Sequence, residues 1–152
     1  MTRLYEGMFL LDNQVVREDW KKAKELVAEA LTKHGAKIRS LRRWDERKLA
    51  YPIKKRNRAT FFLAYFDLDA TAIPTLLRDL ELSEKVLRHM MLRCDELPAN
   101  ELELAAAEQS ADFVVPSPPP DDAPEPVVER RRDDRDDTEN IFVPDLENLQ
   151  EE

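Results

Sequence analysis

Ten of the 22 residues from 37 to 58 are lysine or arginine, opposed only by Asp45 and Glu46. The cations flank a run in which the apolar Leu49, Tyr51 and Ile53 alternate with Lys48, Ala50 and Pro52. Such period-two alternation turns one set of side chains inward and the other outward. A cationic strand rim with an aromatic in it can hold a phosphate backbone by charge and hydrogen bonds, but it offers neither nucleophile nor proton relay. Several cations are adjacent pairs, which shows charge to both sides of a strand and suits a groove or junction of folded RNA. A charged edge hairpin that merely discourages aggregation is the plainer reading of the same residues.

Other chemistries lack their parts. Only Gly7 and Gly35 occur, so a glycine-rich phosphate loop or dinucleotide fingerprint cannot be built and no cofactor is expected. The first strand's exit, residues 11–15, has no glycine for the anion loop of an acylphosphatase-like hydrolase. His34 and His89 fall on different elements without metal-ligand spacing. Cys94 has no partner base in view, and its solitude excludes an internal disulfide and fits a reducing compartment. Asp45 and Glu46 are expected to pair with Arg42, Arg43 and Arg47 rather than act as acid and base. The chain is therefore read as a non-enzyme without small-molecule substrate. With no apolar run near the roughly 20 residues of a membrane span, it is read as cytoplasmic, with no membrane partner.

The elements that must position the cations follow from periodicity. Residues 1–100 carry 20 Lys and Arg against 15 Asp and Glu, net +5, whereas the remainder is net −13. Residues 3–11 read as a strand with apolar residues on both sides. Val16, Trp20, Ala23, Val27 and Leu31 recur at helical spacing, a helix of about five turns closed by Gly35. Residues 36–53 read as a long strand bent near Trp44-Asp45, 54–58 as a basic turn, and 59–68 as a third strand. Thr71 is placed as the cap of a second helix that tolerates Pro74 in its first turn, and 86–93 form the last strand. The order β-α-β-β-α-β predicts an α+β, ferredoxin-like plait over residues 1–97, with two helices on one face of a four-stranded antiparallel sheet. Met8, Leu10, Phe62, Phe66 and Met91 are assigned to the second sheet face, to be covered by a loop, the tail or a protein partner. Residues 98–152 hold eight of the ten prolines and read as a disordered acidic tail. Asn100 and Glu103 predict a short helix over 101–109. Ile141, Phe142, Val143, Leu146 and Leu149 form one apolar island in the tail. The tail's charge suits either a tethered competitor for RNA or a solubilising extension.

These residues resemble the bacterial small-subunit ribosomal protein S-six family over residues 3–95. The points of likeness are Arg3-Leu4-Tyr5-Glu6, the run Arg47-Lys48-Leu49-Ala50-Tyr51-Pro52-Ile53, the third strand, and Val86-Leu87-Arg88-His89-Met90-Met91. The resemblance implies a plait that binds the central domain of small-subunit rRNA together with ribosomal protein S-eighteen, in support of translation and without catalysis. It implies Arg3, Arg42, Arg43, Arg47, Lys48, Lys54 and Arg88 as RNA-facing residues, with Tyr51 and Pro52 shaping the hairpin. Asp45 stands where many members have glycine. The competing reading is a stand-alone RNA-recognition-motif-like protein that stacks bases on its third strand, although residues 58–65 lack that motif's glycine and first aromatic.

Overall fold

The computed structural model describes residues 1–110 and 113–124. β1 (Thr2–Asp12), β2 (Lys37–Ile53), β3 (Arg56–Asp69) and β4 (Val86–Arg93) form one antiparallel sheet in the order β2-β3-β1-β4. α1 (Asn13–Glu18), α2 (Trp20–Lys33) and α3 (Ile73–Leu82) supply the helical layer, and α4 (Glu101–Glu108) follows β4. This is the expected plait, with its two central strands, β1 and β3, adjacent.

The expected five-turn helix is two helices. Asp19 breaks it with an extended backbone (φ −163°), and its carboxylate accepts the N–H groups of Lys21 and Lys22 as the cap of α2. An aspartate that can satisfy two orphan donors favours restarting a helix over running through it. α2 stops as expected: Gly35 sits at φ +86°, its N–H reaches Thr32 and that of Ala36 reaches Leu31. α3 is entered through a single 3₁₀ turn, Ala70–Ala72, capped by Asp69 rather than Thr71.

The main core lies between sheet and helices, with Phe9, Leu11, Phe62, Phe66 and Leu68 from the strands meeting Val27, Leu31, Leu76 and Leu80. Phe62 and Phe66 are thus helix-side residues, and Met91 packs against the same cluster. Their assignment to the second face is corrected by the register: Phe62 pairs with Phe9 and Met91 with Gly7, on the side that faces the helices. Met8 and Leu10 do lie on the other face. There they pack with Ala59, Phe61 and Leu87 and with Leu49 and Ile53 from the end of the hairpin, which closes half of that face by itself. Toward the other end of the sheet the chain leaves β4 at Cys94, whose N–H bonds to Leu4, and arrives at Glu101 beside Ser40, across the sheet. Leu63 and Tyr65 are buried there. Burial, then Glu6 and Glu101, push the Tyr65 phenol up to about 12.

The short helix expected over 101–109 is α4, and residues 98–110 and 113–124, otherwise read from sequence as disordered tail, lie against the domain. Phe113 packs on Trp20 with ring centroids 6.3 Å apart, Arg17 donates to the carbonyls of Pro118 and Pro119, and Asp121 accepts the N–H groups of Asn57 and Arg58. Composition hid this because, Phe113 on Trp20 apart, these contacts are polar. Asn100 makes no side-chain cap for α4. The expected disorder of residues 125–152 and the apolar island at 141–149 lie outside the described residues.

A methyl group on Gly7 would stand 2.7 Å and 2.8 Å from two ring carbons of Phe9 and 3.0 Å from Phe66, both rings being fully buried. Gly7→Ala should cost about 1–3 kcal/mol through overpacking. A thermal melt would show it as a fall of roughly 4–8 °C per kcal/mol.

Candidate nucleic-acid interface

β2 and β3 are joined by two residues, Lys54 and Lys55, both with positive φ (47° and 66°), between the paired Ile53 and Arg56. The expected five-residue turn is therefore a primed two-residue turn, whose twist matches that of the strands it joins. Asparagine and glycine are the residues that fit it cheaply; two lysines in the left-handed region cost about 1–2 kcal/mol each. The turn thereby sets two lysines at the tip of the hairpin.

The stem is locked from inside. Arg58 donates to Glu46 through Nε (2.7 Å) and Nη2 (3.0 Å), both side chains being buried. Glu46 also accepts from Asn13 Nδ2 (3.0 Å), and Asn13 Oδ1 accepts from the Thr60 hydroxyl (2.8 Å). Expected to pair with neighbouring arginines of its own strand, Glu46 instead points to the helix side, opposite Thr60 in the register. Asp45 does meet Arg47 (2.9 Å) and also accepts the N–H of Glu46 (2.8 Å). Burial works to raise its carboxyl, but the Arg47 and Glu46 hydrogen bonds prevail and hold it below the usual range. The bend predicted near Trp44-Asp45 is a register shift between Arg43 and Asp45, and Asp45 has no left-handed backbone that would call for glycine.

The structure divides the seven candidate cations. Arg47, Lys48, Lys54 and Arg88 are exposed. The Arg47 guanidinium lies 4.4 Å from the Trp44 ring centroid, and that ring meets Phe61 edge-on at 5.8 Å. Arg88 reaches across from β4 to the Tyr51 hydroxyl and lies 5.7 Å from its ring centroid, so two distant segments of sequence form one basic aromatic patch. Lys54 reaches the carbonyls of Ser83 and Val86 at the start of β4. The other three stand apart. Arg42 is held by Glu101 at 2.7 Å, Arg43 is half-buried with its Nε enclosed, and Arg3 is half-buried at the start of β1 with its Nη2 toward the Met1 sulfur. Sequence reasoning missed Lys55, which the turn geometry would have exposed, and Lys24, whose partner Glu108 is 84 residues away (2.7 Å). Cys94 hydrogen-bonds Glu6, and burial followed by that carboxylate raises its thiol, away from nucleophilic use.

Among the described residues, β3 offers no base-stacking platform on the open face. Phe61 packs under Trp44, Leu63 and Tyr65 are buried, and Phe62 faces the helices. A family model for ribosomal protein S6 matches residues 4–93. The chain belongs to the ribosomal protein S6 family. It is similar to the small ribosomal subunit protein bS6 of Campylobacter lari, 38% identical over 107 residues, covering 70% of this chain and 83% of that one. The bS6 of Geotalea daltonii is 32% identical over 127 residues, covering 84% and 94%. Among solved structures, the 30S ribosomal protein S6 of Thermotoga maritima has a TM-score of 0.55 and 25% identity, covering 74% of this chain and 100% of that one. As a member of the S6 family the chain is a structural, non-enzymatic component of the small ribosomal subunit. No helix among the described residues is long and apolar enough to cross a membrane.

Glu46→Ala removes the carboxylate that Arg58 Nε and Nη2 donate to and the acceptor of Asn13 Nδ2, while Arg58 Nη1 keeps the Ala123 carbonyl. Urea unfolding should show a loss of about 3–5 kcal/mol, most of it recovered when Arg58→Met is added. Equal stability of wild type and single variant would mean that the buried pair does not anchor the hairpin.

Proposed function

We propose that this S6-family chain binds folded small-subunit rRNA, in its central domain, through the hairpin patch of Arg47, Lys48, Lys54, Lys55 and Arg88. The patch acts as a positioning clamp on phosphates and 2′-hydroxyls rather than a reader of bases. The observation that carries the reading is the convergence of exposed cations with Trp44 and Tyr51 on a stem that is rigid from within. Arg47 spends its Nε on Asp45 and Arg88 its Nη1 on Tyr51, and the remaining N–H groups of a guanidinium laid on an aromatic face can still meet phosphate oxygens at the rim. Arg42 and Arg43 fall outside this first patch, since one is neutralised and the other enclosed.

Ribosomal protein S-eighteen is the proposed protein partner. The support is an apolar strip on the open side of the edge strand β4, where Met90 and Leu92 stand half exposed beside a face that the chain otherwise closes for itself.

Binding to a central-domain rRNA fragment, with S-eighteen present, should weaken steeply as salt rises, because neutralised phosphates release counterions. Arg47→Ala with Lys48→Ala should lower affinity and flatten the slope of log K against log salt by about 1 for each phosphate that is no longer neutralised. An unaltered slope would remove the hairpin from the interface.

Replacing the strained turn by its preferred residues, Lys54→Asn with Lys55→Gly, should raise stability by about 1 kcal/mol or more in urea unfolding. The same variant should bind the fragment more weakly. Gain of stability with undiminished binding would mean that the two ammonium groups are idle.

A further inference from the structure

Helix α4 is built inside out. Its terminal glutamates, Glu101 and Glu108, are 2% and 5% exposed, whereas Leu102 and Leu104 are 57% and 42% exposed. Ala106 and Ala107 are exposed too, and only Ala105 is partly covered. A surface helix ordinarily buries its apolar stripe and shows its charges. Here the two glutamates, seven residues or about two turns apart and so on one face, dock the helix against the outer edge of β2.

Each carboxylate sits in a ready-made donor set. Glu101 takes the Arg42 fork, Nε at 2.7 Å and Nη2 at 3.3 Å, with the Ser40 hydroxyl at 3.2 Å. Glu108 takes the Lys24 ammonium at 2.7 Å and the backbone N–H of Arg43 at 2.6 Å. The buried Arg43 Nε, close by, has no acceptor. An arginine fork with a hydroxyl, and an ammonium with a backbone N–H, are the donor sets that hold phosphate oxygens in RNA complexes.

We propose that the outer edge of β2 is a second phosphate-binding site, formed by Ser40, Arg42, the Arg43 backbone and Lys24, and that α4 is its tethered occupant, displaced by an RNA backbone. The inference rests on the RNA-binding reading above and assigns a role to cations that reading leaves neutralised. The exchange replaces each carboxylate by a phosphate, so no buried cation is left unpaired at its end. Having docked by charge and not by its leucines, α4 leaves without stripping a hydrophobic core. An edge closed nine-tenths of the time weakens apparent RNA affinity about tenfold.

The test uses the full chain and a mixed-sequence duplex RNA at low salt. Glu101→Gln with Glu108→Gln keeps side-chain size and should bind about tenfold tighter than wild type. Adding Lys24→Ala and Arg42→Ala to that variant should cancel the gain. Hydrogen exchange on the unaltered protein gives an arm that does not depend on the variants folding: saturating RNA should remove amide protection from residues 101–108. Unchanged affinity in the glutamine variant, or α4 amides equally protected with and without RNA, overturns the second site. Either result leaves the hairpin reading standing if Arg47 and Lys48 still govern the salt slope. Failure of both wild type and glutamine variant to bind RNA at all overturns both.

Discussion

The pair formed by Arg58 and Glu46 is the constraint on which the cationic hairpin depends. A long two-stranded ribbon that extends past the end of a sheet is marginal by itself, because little apolar surface is available to hold it. Here the guanidinium and carboxylate meet inside the protein, and Asn13 and Thr60 take up further bonding capacity of the cluster. The chain of contacts joins β2, β3 and α1, so the ribbon cannot slide or pivot without breaking a buried ion pair. Leu49 and Ile53 add an apolar clasp on the opposite face, against Leu10 and Leu87. Rigidity of this kind matters more for a clamp on folded RNA than for a flexible tether, since phosphates must be met in register.

The described charges are sorted by what they face. Arg58, Arg42 and Lys24 meet carboxylates of the same chain, with buried or largely buried side chains, and serve to attach one part of the protein to another. Arg47, Lys48, Lys54 and Arg88 stand at the surface near aromatic rings or at the tip of the turn. Among the described residues after β4, Glu101 and Glu108 meet Arg42 and the Arg43 backbone, and Asp121 meets the backbone of Asn57 and Arg58 in the hairpin. The net charge of −8 accordingly describes no face of the folded protein.

The strand and helix order was legible because period-two and 3.6-residue patterns are local. So was the Gly35 stop, where one residue type fits one backbone conformation. The break at Asp19 was missed because an aspartate inside an amphipathic stretch looks like a solvent-facing residue until its carboxylate is seen to cap. Alternation along β3 sets Phe61, Leu63 and Tyr65 against Phe62, Ala64 and Phe66. Which set meets the helices depends on pairing with β1, and no single strand reveals that. The partners of Arg42 and Arg58 were also illegible in part, because Glu101 lies 59 residues from Arg42, while Glu46 was read with the wrong neighbours. Runs of adjacent cations say that charge is present, not which charges remain free.

In the proposed complex the end of the hairpin touches ribosomal RNA. Ultraviolet crosslinking of intact small subunits containing this chain, followed by mass spectrometry of its nucleotide-bearing peptides, tests it most directly. Adducts should concentrate on residues 44–56 and on the neighbourhood of Arg88, where Trp44, Tyr51 and the exposed cations gather. Adducts confined to α2 and α3, with the hairpin peptides recovered unmodified, would contradict the account.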